Sequence, residues 1–218
     1  MLCNALVWSL NAVAGISWLE LIKAAAPLAT AAIAYTALQN WRRQDRAKRE
    51  AEFLDQLVET THTFVDEMAG PLTHIRLTKA GFEGYEPSGG VEDMATAGMV
   101  AYIAKRGEED SKRMLGALNS IQPTAARLTA LATKGQVFRF EGYETCKAAA
   151  TRLALRFSQV QLFAGMIGAT TLNWENPEVR NACRILFSAD PEAISDDLKA
   201  SHVTILEFAT AAYRRLYG

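Results

Sequence analysis

Between residues 1 and 41 almost every position is apolar or small, and the only charged side chains are Glu20 and Lys23. They divide the segment into an apolar stretch, residues 2–19, and an alanine-rich one, residues 24–41. The pattern then inverts: Arg42, Arg43, Arg46, Lys48 and Arg49 follow within eight positions, with Asp45 the sole acid among them. From Leu54 the apolar residues recur in steps of three and four, at Leu57, Val58, Thr61, Phe64, Val65 and Met68, which predicts one buried face of a long helix. Gly70-Pro71 predicts a break or kink, and the glycine- and proline-containing stretch 81–90 predicts a loop.

Beyond that loop the periodicity predicts a helix over about 91–120, and Pro123 suits the first turn of another that ends near Gly135. The phrase GQVFRFEGY at 135–143 alternates briefly but has no second strand to pair with, so it reads as an ordered loop, with Phe138 and Phe140 plugged onto the core. Cys146, Ala149, Ala150, Leu153, Phe157, Val160, Ala164 and Ile167 fall on one face of the next helix. Asn176-Pro177-Glu178 and Asp190-Pro191-Glu192 each supply an N-cap, a proline suited to the first helical position and an acid in the positively polarised first turn. They open two more helices, the last carrying the stripe Ile194, Leu198, Ile205, Phe208, Ala209, Ala212, Tyr213 and Leu216.

These elements predict an all-α protein in which an N-terminal transmembrane helix, within residues 1–41, continues into a cytoplasmic bundle of five or six helices over residues 42–218. Trp18 and Trp41 bracket a stretch about 36 Å long as a helix, enough to cross a bilayer core with tilt, and tryptophan favours both membrane interfaces. The cluster Arg42, Arg43, Arg46, Lys48 and Arg49 then sits where the positive-inside rule keeps basic residues in the cytoplasm. A secretory signal would carry its charge before the apolar run, so the expectation is a retained anchor in the inner membrane. Residues 2–19 form a second candidate span, which leaves the side of the N-terminus open.

Composition narrows the classes. The chain has 218 residues, half of them hydrophobic, 22% charged and a formal net charge of -1, which suits a domain with a real core and offers no bulk charge for nucleic acid. Three cysteines without CxxC spacing argue against a disulfide framework or structural zinc.

The search for chemistry is mostly negative. Glu59 and His62 form ExxH, half of a helical di-iron box, but Pro71 and Lys199 stand where matching glutamates would precede His74 and His202. Asp196-Asp197 lacks the later acid of a diphosphate-binding motif, and there is no phosphate-binding glycine loop or serine elbow. The run from Lys105 to Arg113 reads as a solvated helix face with opposite charges three and four apart. No cofactor or metal is indicated. The remaining enzyme alternative is a metal-dependent hydrolase on the face of Glu52, Asp55 and Glu59.

Phe138, Phe140, Tyr143 and Trp174 are the candidates for a partner groove, since aromatic groups at an irregular hinge can anchor another protein. The phrases KGQVF and NWENPEV, with WRRQDRAKREAEFLD behind an apolar N-terminus and a terminal LEFATAAYRRLYG, resemble a set of uncharacterised bacterial membrane-anchored helical proteins. The resemblance covers nearly the whole chain and implies no activity. The expected function is that of a membrane-tethered scaffold, sensor or regulatory module. Its expected partners are the lipid bilayer, a second copy through the anchor-proximal helix and a protein not identified by sequence, without nucleic acid.

Overall fold

A computed structural model describes residues 18–85 and 94–218, which are all-helical and contain no strand. The elements are α1 (Trp18–Glu67), α2 (Ala69–Gly84), α3 (Met94–Tyr102), a π-helical turn (Ile103–Gly107), α4 (Glu108–Phe138), α5 (Tyr143–Ile167), α6 (Pro177–Phe187) and α7 (Pro191–Tyr217). By its internal contacts the chain divides into two units after Glu50, nine residues beyond the boundary that composition suggested.

The first unit holds the N-terminal part of α1. Residues 25–38 are exposed on every face of the helix. Farther along, Arg46 and Arg49 are held by carboxylates one turn away, Arg46 by Glu50 and Arg49 by Asp45, each at 2.7 Å. Among the described residues no helix is long and apolar enough to cross a membrane. The expected span between Trp18 and Trp41 therefore finds no support in this helix. Alanine contributes little transfer free energy, and Thr30, Thr36, Gln39 and Asn40 dilute Leu28, Ile33 and Leu38. The alternative span at 2–19 lies outside the described residues but for the opening of α1.

The second unit, residues 51–218, is a helical bundle. Its α5 packs against α4 and α7, while α2 contacts α3, α4 and α7. The three predicted stripes form its interior: every residue of the α5 stripe is buried, as are Leu54, Leu57, Thr61, Phe64 and Met68 on α1 and Ile194, Leu198, Ile205, Phe208, Ala209 and Ala212 on α7. Phe53 and Phe64 carry α1 into this core against Phe138 and Phe157.

The interruption near Gly70-Pro71 occurs slightly earlier than the motif. Helix α1 stops at Glu67 and α2 starts at Ala69, because Pro71 has no N–H for the Glu67 carbonyl and its ring collides with that carbonyl in a continuous helix. Pro123 behaves differently and corrects the reading of a helix start: α4 runs through it from Glu108 to Phe138. Pro123 and Asn119, whose carbonyl loses its donor, both face solvent, so water can satisfy the lost bond.

Two glycines that predict breaks in the sequence lie inside helices. Gly135 is buried inside α4, where a Cβ would lie 2.1 Å from the Tyr143 hydroxyl oxygen, and the helix extends to Phe138, so the predicted loop shrinks to a turn. There Arg139 and Gly142 take left-handed conformations, with φ of 54° and 76°. Gly81, assigned to a loop, is helical and lies flat against the Tyr102 ring, where a Cβ would meet a ring carbon at 2.2 Å. Both glycines serve close helix packing. The rest of that predicted loop, residues 86–90, lies outside the described residues.

Candidate functional site

A cavity of about 360 Å³ opens between α2, the π turn and α4. His74, Leu77, Thr78 and Gly81 face it from α2, with Tyr85 at the helix end; Tyr102, Arg106, Asp110 and Arg113 face it from the other side. The last four are spaced four, four and three apart and form one stripe that runs through the π turn. A π turn inserts an extra residue into the helical ladder, and such insertions recur at functional sites.

Tyr102 anchors the wall. Its hydroxyl donates to the Asp110 carboxylate, and burial first, then that hydrogen bond, raise the phenol to about 12. It is a fixed donor at neutral pH. Its ring packs edge-on against Phe82 at 5.2 Å and at right angles to Tyr85 at 5.5 Å, forming an aromatic corner. The Lys105 ammonium lies over the Tyr85 ring, 5.5 Å from its centroid. Arg113 pairs with Glu109 and lies 3.8 Å from Asp110. Arg106 has no carboxylate partner among the described residues.

A smaller cavity, about 270 Å³, lies between α1 and α7 and is lined by His62, Asp66, Ser195, Lys199 and His202, among others. The two imidazoles stand 5.6 Å apart between centroids, and His202 Nε2 is buried without a hydrogen-bond partner. Burial, then the neighbouring His62, lowers the proton affinity of His202. No group of three metal-ligating side chains forms among the described residues.

The residues singled out by sequence are placed as follows. Glu52, Asp55 and Glu59 are all exposed along α1. Asp55 accepts a hydrogen bond from the Tyr213 hydroxyl, and Glu59 borders a shallow recess with Thr63, Pro123 and Arg127. Phe138, Phe140 and Tyr143 gather around Phe53 and Phe208, with neighbouring centroids 5.0–6.4 Å apart. Tyr143 also donates to the Ala132 carbonyl at 2.6 Å. Trp174 is not brought to them: it packs on the core beyond the opposite end of α5, whose 25 residues span about 38 Å. Asn176, two residues on, caps α6 by accepting from the Glu178 N–H at 2.9 Å.

Sequence reasoning missed Arg106, Asp110 and Arg113 as members of a cavity. Their run does form the expected one-turn pairs, Glu108 with Lys112 and Glu109 with Arg113. The signal available was the stripe Tyr102, Arg106, Asp110, Arg113, which faces α2 across the bundle.

No protein family, curated protein or solved structure matches the chain.

Proposed function

We propose that this chain is a membrane-tethered helical module that acts through contacts, with residues 42–218 on the cytoplasmic face of the inner membrane. The observation that carries the reading is the exposed N-terminal part of α1, where Leu28, Ile33, Tyr35 and Leu38 are 73%, 69%, 63% and 41% exposed. Apolar surface left in water forgoes about 25 cal/mol per Å², so such a helix favours a covering environment. Charge argues that this cover is lipid: Trp41 and the cluster at 42–49 follow directly, and each basic residue near an anionic leaflet contributes about 1 kcal/mol. The tether lies within residues 1–41, with residues 2–19 as its second candidate span. The same exposed face gives the anchor-proximal helix a surface for a second copy, and tethering raises the effective concentration of neighbouring partners.

The test compares the full chain with one that starts at residue 42. After cell lysis and an alkaline carbonate wash, the full chain is expected in the membrane pellet and the shortened chain in the supernatant. A full chain released by the wash would overturn the reading. Orientation follows from thiol labelling, since Cys146 and Cys183 are buried and Cys3 is the remaining reporter. An impermeant reagent that labels intact cells places Cys3 outside under a single span, whereas labelling only after lysis places the N-terminus inside.

A further inference from the structure

We infer that the cavity between α2, the π turn and α4 binds a small organic anion carrying a flat ring. Four observations converge there and do not depend on a membrane. The volume, about 360 Å³, lies in the range of small-molecule pockets, roughly 300–1,000 Å³. The lining carries two guanidiniums, Arg106 and Arg113, and one carboxylate, Asp110; Arg113 is paired with Glu109, so Arg106 is the cation left to face a ligand, with His74 as a further donor or acceptor. That carboxylate accepts from the Tyr102 hydroxyl on one oxygen and has Arg113 3.8 Å from the other.

The third observation is the aromatic corner. Tyr85 and Tyr102 meet at 90°, and a flat ring entering there can meet one tyrosine face to face and the other edge-on, both favoured arrangements. Gly81 lets the Tyr102 ring take its place in the corner, because any side chain at that position would collide with the ring. Fourth, Arg106 has no carboxylate partner among the described residues, and its fork of donors matches the two oxygens of a carboxylate, sulfonate or phosphate. The ring therefore selects by stacking, and Arg106 selects by charge.

The full chain is titrated calorimetrically with naphthoate, with naphthylmethylamine as the same ring of opposite charge and acetate as the same charge without the ring. Naphthoate is expected to bind one per chain, at least tenfold more tightly than either comparison ligand. Arg106→Gln should weaken naphthoate binding tenfold or more while leaving the melting temperature unchanged. Arg152→Gln, on α5 and absent from the cavity wall, should bind as the unaltered chain does. Absence of naphthoate binding, equal binding of the amine, or unchanged affinity in Arg106→Gln would each overturn the inference.

Discussion

At Gly135 a single hydrogen separates two helices from collision. A methyl group there would stand 2.1 Å from the Tyr143 hydroxyl oxygen, and the ring cannot swing away because it packs against Phe53 and Phe208. Gly135→Ala is therefore expected to destabilise the bundle by about 1–3 kcal/mol, the usual cost of overpacking, despite alanine's higher helix propensity. Thermal denaturation measures this, and Tyr143→Phe in the same chain should not recover the loss, because two ring carbons would lie 2.2 and 2.4 Å from the same methyl group. His202 makes a second prediction. Its folded-state proton affinity is lowered, so the folded protein binds fewer protons than the unfolded chain, for which the ordinary value is 6.5. Its contribution is complete above that pH and is lost as the pH falls toward the lowered folded value. Melting temperatures taken from pH 7.5 down to pH 5 should fall, and His202→Gln should flatten the fall. Neither residue was legible in the sequence: a glycine in a helix resembles a terminus, and a histidine's partner, here His62, lies on a different helix.

At the scale of the element, legibility followed periodicity. The stripes on α1, α5 and α7 each became a buried face, because three- and four-residue spacing aligns side chains whatever the helix packs against. Leu57→Asp and Leu153→Asp each place an unpaired charge in that interior, and each should cost several kcal/mol and unfold the bundle by circular dichroism. Glu109→Ala removes only an exposed one-turn pair with Arg113, so its effect should stay below about 0.5 kcal/mol. Both proline caps were equally legible: Asn176 and Asp190 accept from the N–H groups of Glu178 and Glu192, a purely local arrangement. The limits of α4 were not. Pro123 and Gly135 carry the residue types that stop helices, but solvent relieves the first and Tyr143 requires the second. The π turn left no local mark in the residues that form it.

At the scale of the molecule, the hydrophobic core begins at Phe53 and draws only on the second unit. A chain starting at residue 42 should accordingly melt within about 1 °C of the detergent-solubilised full chain, and a larger difference would show that residues 1–41 support the bundle. The amino-acid sequence by itself determined the helical class, the core faces, both proline caps and the abrupt change from apolar to basic character near residue 41, because each depends on neighbours within a turn or two. Tertiary structure decided which side chains meet: Tyr102 and Arg106 with Tyr85 around a cavity, His62 with His202, and Phe138, Phe140 and Tyr143 around Phe53 and Phe208, with Trp174 left at the far end of α5. Such meetings depend on how helices distant in sequence pack, and periodicity within one helix specifies a buried face without naming the residue that will cover it.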